Sequence, residues 1–113
     1  MLVRPGTDTV IARRVHHAAT AKQRARGLLG RPQMERDEAM LFEPAHQVHT
    51  IFMRYAIDVA FCDENLTVLH TVLTLPPWRI TRWVRGSRYV VEMPAGSPIA
   101  TLSPGDELVI TGP

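Results

Sequence analysis

The sequence predicts a mainly β protein, an antiparallel sandwich or barrel carrying one short α-helix near residues 20–29. Three features point there. Apolar residues fall in short runs of strand length, several of them alternating with polar ones. Nine prolines and seven glycines break the chain at short intervals. A helical period occurs once, behind a start signal. In order, Val10 to His17 is β-compatible. Thr20 and Gln23 then form a capping box, in which the hydroxyl and the amide each take one of the helix's orphan N–H groups. Ala21, Ala25, Leu28 and Leu29 recur on one face, and Gly30 with Pro32 supplies the stop. Ala39–Glu43 and Val48–Met53 are short apolar runs, and Ala56 to Cys62 alternates around Ile57, Val59 and Phe61. Asp63, Glu64 and Asn65 turn that strand into Thr67–Leu75, with Val68, His70 and Val72 on one face. Arg88–Met93, Pro98–Leu102 and Glu107–Thr111 complete about seven short strands, the last two separated by the turn residues Ser103 to Asp106.

Bulk properties bound the function classes. A chain of 113 residues and 12.7 kDa is expected to form a single domain over 1–113, with enough length for a hydrophobic core. Hydrophobic residues at 45% and charged residues at 21% argue against disorder and against a fibre. No apolar run reaches the length of a membrane helix, and the N-terminal residues lack the pattern of a signal peptide. The single cysteine, Cys62, forms no intrachain disulfide, so a cytoplasmic setting is expected. Lys22 is the only lysine among the 13 cations, and the net charge is +2. The charge is uneven: residues 1–36 are basic and residues 37–75 acidic, with Arg54 the one cation of that second stretch. Segments of opposite sign usually neutralise each other in the fold, and a net +2 gives little long-range field.

Several collinear blocks resemble the family known as domain of unknown function 192. They are Thr20-Ala21 with Arg24 and the run Arg26 to Arg31, then Met40 to Phe42, His49 to Arg54, Ile57 to Phe61, Val91 to Gly96, and Gly105-Asp106. Together they cover about residues 18–110. Leu29, Ala56 and Val59 depart from the residues common in that family. The resemblance implies a mainly β, sandwich-like fold with one helix, and it implies no reaction.

Individual residues offer three kinds of chemistry. Asp58 and Glu92 are acids embedded in apolar strands. Asp58, on the side opposite Ile57, Val59 and Phe61, is solvated or, if it faces inward, needs partners. The plainer reading of Glu92 is an edge-strand charge or a second arginine partner. Arg26, beside Gly27, is the natural partner for Asp58. If the two carboxylates met, they could act as general acid and base. His46 and His49 lie three apart in an extended stretch, on opposite faces, so no metal and no cofactor is expected. Cys62 sits beside Asp63 and Glu64, whose charge opposes thiolate formation, and covalent catalysis is not expected. Trp78 to Arg88 interleaves Arg79, Arg82, Arg85 and Arg88 with two tryptophans, the side chains that contact phosphates and bases. The plainer reading folds those tryptophans onto the barrel mouth and leaves the arginines in water.

The expected function is a non-catalytic binding domain for a small anionic molecule or a protein partner. Arg26, His49, Met53, Arg54, Asp58 and Glu92 are its candidate binding residues, with Phe42 and Phe52 as walls. One alternative is a small hydrolase or lyase using Asp58 and Glu92. A second is RNA binding through Arg79, Arg82, Arg85 and Arg88, although nucleic acid is not the expected partner, because four local arginines neutralise few phosphates. The oligomeric state is not legible.

Overall fold

The computed structural model describes residues 1–7, 9–18, 34–51 and 53–112. The helix expected over 20–29, and with it Arg26, lies outside the described residues, as does Phe52. Among the described residues eight strands form two sheets: β1 (Leu2–Val3), β2 (Val10–Ala12), β3 (Arg14–Ala18), β4 (Glu38–Phe42), β5 (Ile57–Cys62), β6 (Val68–Leu75), β7 (Tyr89–Pro94) and β8 (Val109–Ile110). A three-stranded sheet has the order β2-β1-β8 and a five-stranded sheet the order β3-β4-β7-β5-β6.

β5, β6 and β7 fall where the alternation and the turn residues put them. The Asp63 side chain accepts from the N–H groups of Asn65 and Thr67, each at 2.9 Å, which closes the β5–β6 turn. Other elements differ from expectation. The single strand expected over Val10–His17 divides at Arg13 into β2 and β3, one in each sheet. β3 runs parallel to β4, so the larger sheet is mixed rather than purely antiparallel. The described residues of 48–53 form no strand, contributing only an isolated bridge from His49 to Ile80. Pro98–Leu102 is not a strand either; Pro98–Thr101 is a 3-10 helix, the only helical element among the described residues. Ser97 caps it, its hydroxyl accepting from Ile99 N–H at 3.2 Å, and Pro98 occupies the first position, where no N–H is needed.

The larger sheet is buried on both faces, which is why β4 and β5 are buried along their whole length. On one face Ala39, Leu41, Ala60, Cys62, Val91 and Met93 pack with Leu2 and Ile11 of the smaller sheet and Ile99 of the 3-10 helix. On the other, Met40, Phe42, Ile57, Val59, Phe61 and Val90 are covered by Ala45, Val48, Met53 and Val84 from irregular segments. A fully buried side chain of this kind contributes about 1.5–3 kcal/mol. One irregularity matters for the site. Between the pairs Ile57↔Leu75 and Val59↔Val72 the register shifts, so β6 carries one extra residue opposite Asp58.

Candidate functional site

The register decides the fate of the two embedded acids. Asp58 lies opposite Met93, which faces the smaller sheet, while Glu92 lies opposite Val59 and Met40, which face the irregular cover. The two carboxylates therefore occupy opposite faces of one sheet and cannot act on a common substrate as acid and base. This corrects the hydrolase reading, whose premise was a shared pocket.

Asp58 is 1% exposed, and its oxygens are taken by its neighbours. Oδ1 accepts from Thr74 N–H at 2.8 Å, and Oδ2 accepts from Ser97 N–H at 2.9 Å and Ser97 Oγ at 2.8 Å. Thr74 belongs to the bulge and has φ of 51°, a conformation that leaves its N–H turned away from the ladder. Asp58 thus satisfies donors that the bulge and the helix cap would otherwise strand. It is a structural anchor, and its partners are backbone and serine groups.

Among the described residues the remaining candidates divide between the core and the surface. Met53 and Phe42 are buried in the core cluster, whereas His49 and Arg54 are exposed. Among the described residues no three His, Cys, Asp or Glu side chains are grouped to hold a metal ion. His46 instead stacks on Trp83, with ring centroids 4.7 Å apart and planes 15° apart. Glu38, which the sequence did not single out, is a further buried acid; its Oε2 lies 2.6 Å from His16 Nε2, and its Oε1 accepts from Glu35 N–H at 2.8 Å. Burial, with Asp63 adding to it, pushes the Cys62 thiol up to about 12. Native Cys62 is therefore expected to react with iodoacetamide at pH about 8 roughly a thousandfold more slowly than in denaturant. Comparable rates in a timed alkylation would show that the thiol is accessible.

A cleft of about 360 Å³ opens elsewhere, at the seam between the two sheets. Its walls are Val10, Ile11, Arg13, Arg36, Asp37 and the turn Pro94–Pro98. Three segments distant in sequence meet here. Arg13 follows β2, its N–H donating to Asp37 O at 2.9 Å. Gly96 joins the lining with φ of 85°, and Arg36 Nη2 lies 3.9 Å from where a Cβ on that glycine would sit. Asp37 is the acid of the cleft, but Arg14 holds its carboxylate at 2.9 Å. That hydrogen bond lowers the Asp37 pKa and raises that of Arg14. Arg13 and Arg36 form no ion pair among the described residues, so the cleft carries two uncompensated guanidinium groups. Neither had drawn attention in the sequence, where nothing marks them off from the other arginines.

The segment 76–88 is not a free loop. Trp78 N–H donates to Thr50 O at 3.0 Å, Thr81 N–H to Val48 O at 2.8 Å and Val84 N–H to His46 O at 2.8 Å. Thr81, Val84 and Ser87 are buried at every third position, which leaves Arg79, Arg82, Arg85 and Arg88 exposed. The tryptophans do not fold inward: Trp78 is 58% and Trp83 62% exposed.

Comparisons with known proteins agree with this architecture. A family profile, DUF192, described as uncharacterized ACR, matches residues 2–110. A UPF0127 protein of Pyrococcus abyssi and one of Pyrococcus furiosus are each 45% identical over 49 residues, a stretch covering 43% of this chain and 41% of the relative's length. A protein of unknown function from Novosphingobium aromaticivorans superposes with a TM-score of 0.73 at 19% identity, covering 85% of this chain and 74% of its own. A proposed transcription regulator from Sinorhizobium meliloti gives 0.69 at 28% identity, covering 84% and 79%. No helix among the described residues is long and apolar enough to cross a membrane.

Proposed function

This chain belongs to the DUF192 family, and we propose that it serves as a binding module, taking a small anionic ligand into the cleft beneath Arg13 and Arg36. The observation that carries the reading is the pair of guanidinium groups without ion-pair partners among the described residues, lining a cleft of ligand size together with the Gly96 turn. Guanidinium forks match carboxylate and phosphate oxygens in two-point hydrogen bonds, which gives orientation as well as attraction. Gly96 holds the turn at its φ of 85°, a left-handed conformation that favours glycine. The reading takes residues 1–113 as one domain in a cytoplasmic setting, to which the buried reduced Cys62 is suited.

The test is a thermal-shift series with inorganic phosphate, pyrophosphate and citrate at constant ionic strength. At about a hundredfold excess over Kd, binding stabilises the fold by about 2.7 kcal/mol, a rise of several degrees in Tm. At least one of these anions is expected to give that rise in the wild type and not in the double variant Arg13→Ala, Arg36→Ala. Equal shifts in both proteins, or none in either, would remove the cleft from consideration.

A further inference from the structure

We infer that the exposed face of the segment Trp78–Arg85 is a docking surface for single-stranded RNA, separate from the cleft. Trp78, Ile80 and Trp83 are 58%, 63% and 62% exposed, an unusual concentration of large apolar groups for one short stretch. Between them stand Arg79, Arg82 and Arg85, all exposed and without an ion pair among the described residues. No acid occurs from Pro76 to Arg88, and among the described residues only Arg88 of this stretch reaches a carboxylate, that of Glu43 at 3.3 Å.

The segment is tied down by hydrogen bonds where a loop of this composition would lack them. Thr50 Oγ1 accepts from Arg79 N–H at 2.9 Å, and Thr81 Oγ1 accepts from Val48 N–H at 3.0 Å. One face of the Trp83 indole rests on His46, so the ring is held ready and its other face is open. Trp78 has φ of 64°, a left-handed conformation costly for a bulky residue, yet its side chain stays exposed. Counting phosphates alone argues against nucleic acid, because three arginines neutralise few of them. The indoles change that balance, since base stacking adds affinity that does not depend on charge. Duplexes hide the faces of their bases, whereas RNA presents unpaired bases in loops and single strands, and it is the occupant this chemistry fits.

The test is quenching of tryptophan emission by an oligouridine of about twelve nucleotides, measured from low to physiological salt. The wild type is expected to bind with a log–log salt slope of about −2, the value for three phosphates on a single strand. Arg79→Ala, Arg82→Ala and Arg85→Ala together bring the slope near zero. Trp83→Ala weakens binding about tenfold or more, and Trp83→Tyr, which keeps an aromatic face against His46, restores it to within a few-fold. Equal binding of polyglutamate would reassign the surface to an acidic protein partner and overturn the inference. So would tighter binding of oligothymidine or of duplex DNA, no quenching at all, or unchanged affinity in Trp83→Ala. Arg13→Ala with Arg36→Ala is expected to leave this binding unchanged, so the cleft and the RNA surface stand or fall separately.

Discussion

Asp58→Ala is expected to remove about 4 kcal/mol of folding stability, close to a thousandfold in the folding equilibrium. The magnitude follows from what the substitution strands. Thr74 N–H and Ser97 N–H lose their acceptor, and Ser97 Oγ loses one too, all beside a side chain that is 1% exposed. Each stranded donor costs about 1–3 kcal/mol, and the new alanine leaves a small void in addition. The loss concerns three elements, because Asp58 on β5 holds the β6 bulge and the cap of the 3-10 helix together. A loss of this size is a large part of a small domain's total stability of about 5–15 kcal/mol. Urea unfolding checks it: the midpoint should fall sharply while the m-value stays constant. Ser97→Ala, which removes only the hydroxyl, is expected to cost about 1–2 kcal/mol. A loss below about 1 kcal/mol in Asp58→Ala would mean that the carboxylate is not the anchor described above.

The burial of Asp58 also shows where sequence reasoning stopped. Alternation in Ile57 to Phe61 correctly set Asp58 on the face opposite Ile57, Val59 and Phe61, and it correctly bounded β5, β6 and β7 to within a residue. What alternation does not report is a second layer. The face of Asp58 is covered by a small sheet made from the two ends of the chain, Leu2–Val3 and Val109–Ile110, with Val10–Ala12 beside them. Strands of two or three residues are too short to show a period. The parallel β3–β4 pair was illegible for a related reason, since the direction of pairing is fixed by the path of the chain between the strands. The 3-10 helix was legible in principle: Ser97-Pro98 is a cap followed by the residue preferred at a first helical position. The cleft was not, because Arg13, Arg36 and Gly96 come from three separated segments and become neighbours only through the fold. Arg24 and Arg26 lie outside the described residues; what distinguishes Arg13 and Arg36 is that they line the cleft without an ion pair among the described residues.

Thr50→Val is the second large effect, and it concerns the structural part of the block His49 to Arg54. His49 and Arg54 look like the functional groups of that block, yet both are exposed, while Thr50 is fully buried. Its hydroxyl donates to Pro76 O at 2.7 Å and accepts from Arg79 N–H at 2.9 Å, clamping the start of the arginine-rich segment to the body of the protein. Valine keeps nearly the same shape and removes both bonds, leaving a carbonyl and an N–H without their partner. The expected cost is about 3 kcal/mol, against well under 1 kcal/mol for Thr50→Ser, which retains the hydroxyl. Main-chain bonds remain on both sides, Thr50 N–H to Arg79 O at 2.8 Å and Trp78 N–H to Thr50 O at 3.0 Å, so the segment should loosen without detaching. Amide exchange distinguishes that outcome from global destabilisation. Arg79 N–H should exchange faster relative to the β5 amides in Thr50→Val, because local opening there no longer requires breaking the hydroxyl bond. If all amides accelerate by one common factor, the hydroxyl stabilises the whole fold and does not clamp this segment. A local effect would mean that the rigidity of the tryptophan and arginine surface is set by one buried threonine, and that oligouridine affinity should fall in Thr50→Val and return in Thr50→Ser.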